Sequence, residues 1–130
     1  HAIGGRSART YFNEGRWQKV ADTIKTNDFV IIQFGHNDSH AKEKPEATDP
    51  ATDYREYLRQ YIDEARDEGA VPILVTPMLR RNYTADGKLD DILQPYADAM
   101  KVVAFACPTY RSAVSIVGLS LGNRTPPWKI

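Results

Sequence analysis

Two short apolar runs, Phe29-Val30-Ile31-Ile32-Gln33-Phe34 and Val71-Pro72-Ile73-Leu74-Val75-Thr76-Pro77, bracket a segment whose apolar residues recur at helical spacing. Nearly continuous, β-branched runs of this length are what strands covered on both faces require. Between them Tyr54, Tyr57, Leu58, Tyr61, Ile62 and Ala65 follow the i, i+3, i+4, i+7 pattern, opened by Asp49-Pro50 and stopped by Gly69. Strand, helix, strand is a βαβ unit, so the crossover is right-handed and the strands are parallel. The expected fold class is α/β.

Elsewhere the signals are weaker. Trp17, Val20, Ala21 and Ile24 predict a short amphipathic helix over 14–25, and Thr26-Asn27-Asp28 a turn. Residues 36–50 are polar, with two prolines and no periodicity; loops of that length are uncommon in compact domains and tend to be functional or mobile. Asn82 to Gly87 mark another loop. A second helix is expected over about 89–103, with Pro95 in its first turn. Beyond it, 112–121 could form a short strand.

With 130 residues the chain fits one domain. Seventeen basic residues offset seventeen acidic ones, so the basic field that nucleic-acid or polybasic lipid binding needs is missing. No apolar run reaches the roughly 18–20 residues of a membrane span, and His1-Ala2-Ile3-Gly4-Gly5 does not read as a signal peptide. That opening looks instead like the inside of a motif whose preceding strand is absent. Cys107 is alone, which excludes an internal disulfide and a structural zinc site.

In a parallel sheet, ligands sit beyond the carboxyl ends of the strands. Those ends carry Gly35-His36-Asn37-Asp38 and Thr76-Pro77-Met78-Leu79-Arg80-Arg81. A glycine after a buried strand permits a sharp turn that aims the next side chains into the crevice. Asn37 is a neutral donor able to hold an oxyanion, or alternatively Asn37 and Asp38 simply cap the turn. Gly4-Gly5-Arg6-Ser7 could present backbone N–H groups and a fixed positive charge to an anion, but no phosphate-loop pattern follows. His36, Asp38 and His40 alternate along an extended segment and are proper metal ligands; against this reading stands the lack of a partner motif. Ser7, Ser39 and Cys107 are possible nucleophiles without a visible base. Arg80 and Arg81 could meet a carboxylate of a uronic-acid polymer or form a solvated pair, and Tyr54, Tyr57 and Tyr61 read as the buried face of a helix.

The segments Ala2-Ile3-Gly4-Gly5-Arg6-Ser7-Ala8-Arg9-Thr10, Glu14-Gly15-Arg16-Trp17 and Phe34-Gly35-His36-Asn37-Asp38 together resemble the SGNH (GDSL-like) hydrolases, within them the rhamnogalacturonan acetylesterase group. The resemblance implies a three-layer α/β/α, flavodoxin-like domain with a parallel sheet. It also implies a serine esterase that removes acetyl groups from pectin-type polysaccharide without a cofactor or metal. Gly5 would be the backbone oxyanion donor and Asn37 the side-chain donor, with Arg6, His36, Arg80 and Arg81 contacting substrate. Two of the family's four blocks are missing: the nucleophilic Ser would precede His1, and no histidine follows His40 to complete an Asp-x-x-His pair. The resemblance covers 1–104, so the chain reads as a partial domain lacking its first strand and C-terminal part. The tail, 105–130, diverges; one reading is a frame-shifted translation, because Pro-Leu-Ile-Asp-Leu is expected where Pro108-Thr109-Tyr110-Arg111-Ser112 stands. An intact relative would be secreted or periplasmic. The chain alone is expected to be inactive, and a non-catalytic carbohydrate-binding remnant, or a product that does not fold stably, are the alternatives.

Overall fold

The computed structural model describes residues 1–80 and 82–106, and the backbone of 115–117. Its elements are α1 (Ala8–Asn13), α2 (Arg16–Ala21), β1 (Phe29–Ile32), α3 (Asp53–Asp67), β2 (Val71–Val75), α4 (Gln94–Phe105) and β3 (Ser115–Val117). The three strands are parallel in the order β1-β2-β3, with Phe29 opposite Val71 and Ile73 opposite Ser115. The βαβ unit and the α/β class are those the sequence predicts. Asn27, at φ 74°, donates its N–H to Gly69 O at 2.8 Å, and Val71 N–H reaches Asp28 O at 2.8 Å, so the two turns set the register.

Of the helix predicted over 14–25, the structure forms the shorter α2, Arg16–Ala21, entered from Gly15 in the left-handed conformation. A further short helix, α1, precedes that span and is not among the predicted elements. Its start is fixed by a capping box: Ser7 N–H donates to Thr10 Oγ1 at 2.9 Å, and Thr10 N–H to Ser7 Oγ at 3.2 Å. α3 buries Tyr54, Leu58, Tyr61, Ile62 and Ala65, while Tyr57 is half-buried against Phe12. Pro95 sits in the first turn of α4 as expected. Of the strand expected over 112–121, residues 115–117 pair with β2, and the remainder lies outside the described residues.

One expectation is corrected. β1 is not covered on both faces: Phe29 and Ile31 are each 71% exposed, whereas Ile32 is buried. Both crossovers run in the same direction across the sheet, and right-handedness then places α3 and α4 on the same face. Trp17 and Phe12 pack on Tyr61 from α2 and α1, so all four helices share one core with Ile32 and Leu74. Among the described residues no helix covers the other face, and none is long and apolar enough to cross a membrane.

Candidate active site

The carboxyl end of β1 leads into Gly35, whose φ is 138°. A Cβ here would stand 2.9 Å from both Cβ and Cγ of Pro77, which follows β2, so the two strand ends approach through a position only glycine fills. The next residues form hydrogen-bonded turns: Ser39 N–H donates to Gly35 O at 3.0 Å and His40 N–H to Asn37 O at 3.2 Å. The loop over 36–50 is therefore tied down, contrary to a structureless stretch. Tyr96 of α4 fastens it: its single hydroxyl proton is shared between Thr48 O at 2.6 Å and Asp38 O at 2.9 Å.

Two segments far apart in sequence meet here. Asn37 Nδ2 donates to Arg6 O at 3.1 Å, which sets the carboxamide against the Arg6–Ser7 peptide, next to Gly5 in the chain. Gly5 is exposed at φ 74°, with nothing within 4 Å of where a Cβ would be. Below this pair lies Asp38, fully buried. Its carboxylate accepts from Ala8 N–H at 3.1 Å, Thr48 Oγ1 at 2.9 Å and Gly35 N–H at 3.0 Å. Burial outweighs those donors and pushes its pKa up from 3.8 to about 6.

His36 is half-buried. Burial, then the neighbouring Arg80 guanidinium, holds its imidazole below the usual range, against a backbone hydrogen bond with Met78. Arg80 Nη2 lies 3.4 Å from His36 O, so these two stand side by side. Arg6 turns elsewhere, its Nε 2.8 Å from Glu14 Oε2, with Nη1 3.5 Å from Gly5 O. Arg81 and Cys107 lie outside the described residues.

Other candidates are spent on structure. Ser7 is buried and occupied as the α1 cap, which removes it as a nucleophile. Ser39 donates to His36 O at 3.0 Å. The alternating His36, Asp38 and His40 do not converge: Asp38 points inward to its donors, and His40 Nδ1 pairs with Glu46 at 2.7 Å. Among the described residues no three His, Cys, Asp or Glu side chains gather as a metal site. Tyr54 and Tyr61 are core residues whose hydroxyls donate to Phe34 O at 3.0 Å and Ala8 O at 2.7 Å; burial raises both phenol pKa values. The sequence reading did not single out Tyr96 or the anchoring part played by Asp38. The signal available for Asp38 was a carboxylate three residues after a strand-terminating glycine.

A cleft of about 410 Å³ runs along β1, lined by Ile3, Tyr11, Trp17, Val30, Ile32 and Phe34 among others. Arg6, His1 and Gln33 also line it, whereas Gly5 and Asn37 do not, so it lies beside that pair and not over it.

The family model described as GDSL-like Lipase/Acylhydrolase matches residues 1–116. Over 104 residues the chain is 47% identical to the probable rhamnogalacturonan acetylesterase YesY of Bacillus subtilis, covering 79% of this chain and 47% of that protein. It is 40% identical to the rhamnogalacturonan acetylesterase RhgT of the same organism, covering 80% and 43%. The crystal structure of Bacillus subtilis YxiM superposes with a TM-score of 0.68 at 26% identity, over 88% of this chain and 30% of that one. The chain thus spans less than half the length of these relatives.

Proposed function

The chain belongs to the GDSL-like lipase/acylhydrolase family, and from that premise we propose that it carries the oxyanion-binding part of a carbohydrate acetylesterase acting on acetylated rhamnogalacturonan. Two relatives named as rhamnogalacturonan acetylesterases support the substrate class. What carries the site reading is one contact, the 3.1 Å hydrogen bond from Asn37 Nδ2 to Arg6 O. It fixes the carboxamide on the carbonyl of Arg6, the residue after Gly5, leaving the second N–H of that amide nitrogen to meet a substrate oxygen.

When an acetyl carbonyl is attacked, charge develops on its oxygen. Neutral donors held in place stabilise that charge without any proton transfer, and losing one costs about 2.7–4 kcal/mol of barrier. Gly5 N–H and Asn37 Nδ2 are those donors. His36, held neutral at pH 7 by burial and Arg80, lines the approach. Arg80, beside His36, offers a guanidinium group that matches the carboxylates of a uronic-acid backbone, whereas Arg6 is paired with Glu14. The two oxyanion motifs lie within 1–104, and the nucleophile and its base would come from the family's other blocks, which this stretch does not carry.

Exchanging the 104 aligned residues into YesY tests this. The chimaera should release acetate from acetylated rhamnogalacturonan, and Asn37→Ala should lower kcat by about 10²–10³-fold. An Asn37→Ala chimaera with unchanged kcat overturns the oxyanion assignment. The chain by itself should not hydrolyse p-nitrophenyl acetate; turnover above buffer that vanishes with Asn37→Ala would refute the incomplete-site account.

A further inference from the structure

Asp38 is buried without an ion-pair partner among the described residues, an arrangement that costs stability unless the group does something there. Its oxygens reach two backbone segments at once. Oδ1 lies 3.1 Å and Oδ2 3.3 Å from Ala8 N, three residues after Gly5, while Oδ2 accepts from Gly35 N–H at 3.0 Å, two residues before Asn37. Its own carbonyl accepts from Thr48 N–H at 3.0 Å and from Tyr96.

We infer that Asp38 is a positioning residue, a carboxylate strap that joins the Gly5 segment to the Asn37 segment and so sets the separation of the two oxyanion donors. This rests on the oxyanion reading of those residues. A turn cap would need only the Gly35 bond; the second bond, to Ala8 across 30 residues, is what couples the loops. The strap works as an anion, because Ala8 N–H, Gly35 N–H and the Thr48 hydroxyl all donate to it. A proton on one oxygen converts an acceptor into a donor facing donors, and loosens the join. The ionisable groups around it are Tyr54 and Tyr61 from α3 and Tyr96 from α4, all of which keep their protons at neutral pH. His36, two residues away, is lowered by burial and then by Arg80.

The test is amide NMR on the full 130-residue chain. Between pH 4.5 and 7.5 the Ala8, Gly35 and Gly5 amides and the Asn37 side-chain NH₂ should shift with one shared midpoint near 6, the carboxyl pKa of Asp38. Asp38→Asn should abolish all four transitions. If Asp38→Asn does not fold, Thr48→Val replaces it: removing a donor to the carboxylate should raise the shared midpoint. Transitions at Ala8 and Gly35 without any at Gly5 and Asn37 would reduce Asp38 to a local turn residue and overturn the inference. So would transitions that survive Asp38→Asn, which belong to His36. In the chimaera, Asp38→Asn should lower kcat about 10- to 100-fold with KM nearly unchanged. A loss with Asn37→Ala but none with Asp38→Asn overturns the strap alone; no loss with Asn37→Ala overturns the oxyanion reading, which the NMR coupling does not depend on.

Discussion

Replacing Gly35 by alanine isolates how tightly the two strand ends are joined. Two costs add. At φ 138° a side chain is strained by about 1–3 kcal/mol. The new Cβ also meets Cβ and Cγ of Pro77 at 2.9 Å, and a proline ring has no rotamer by which to swing aside. Overpacking of that kind costs about 1–3 kcal/mol. Gly35→Ala should therefore destabilise by about 2–6 kcal/mol, a large share of the ~5–15 kcal/mol typical of a domain. Gly87→Ala is the reference: φ is 76°, and nothing lies within 4 Å of the added carbon, so only the conformational cost of about 1–2 kcal/mol applies. Urea unfolding followed by circular dichroism reads the difference. With a slope of about 1–3 kcal/mol/M, Gly35→Ala should unfold at a midpoint lower than Gly87→Ala by roughly 1 M. Equal midpoints would mean that Pro77 yields freely, and that the close approach does not hold the 35–38 turn in place.

Stability should also carry the signature of Asp38. Its pKa rises from 3.8 to about 6 on folding, so the native state holds the proton more tightly. Its contribution is fully present below pH 3.8 and is lost as pH climbs through 6, by about 3 kcal/mol. His36, lowered by burial, works in the opposite sense in part of that window, gaining stability towards pH 6.5. The informative quantity is thus the wild-type slope minus that of Asp38→Asn between pH 4 and 7; identical slopes would contradict the assignment. Tyr61→Phe should cost about 1–3 kcal/mol, because it leaves Ala8 O buried without its 2.7 Å donor. Tyr57→Phe, whose hydroxyl meets the exposed Asn13 among the described residues, should stay within about 0.5 kcal/mol. Comparable losses in thermal denaturation for the two would show that the Tyr61 bond has no special weight.

Periodicity made β1, β2 and α3 legible because each buries residues at a regular spacing, and Gly35 was legible because a glycine closing an apolar run has few other uses. α1 was not. Six residues with only Ala8 and Tyr11 buried give no repeat to detect, and its cap pairs Ser7 with Thr10 in place of the usual Glu or Gln. β1 was misread on one face for a different reason. The apolar character of Phe29 and Ile31 reports the environment those side chains suit; it does not say whether a covering layer is present, and none stands there among the described residues.

Spacing made the site legible as two motifs, and only the family resemblance joined them into one object. Ala8 to Asp38 spans 30 residues, Asn37 to Arg6 31, Tyr61 to Ala8 53 and Tyr96 to Asp38 58. Local patterns reach two to four residues, so none of these bonds leaves a trace that spacing could reveal. Each, moreover, uses a backbone atom on one side: the amides of Ala8 and Gly35, the carbonyls of Arg6, Ala8 and Asp38. Every residue but proline supplies the same N–H and C=O, so the identity of the partner is invisible in the sequence. Only the side-chain half shows, as a buried Asp, Asn or Tyr with no evident mate. In this chain Asp38, Tyr61 and Tyr96 supply that side-chain half, and their bonds to backbone partners tie the 36–50 loop and the start of α1 in place.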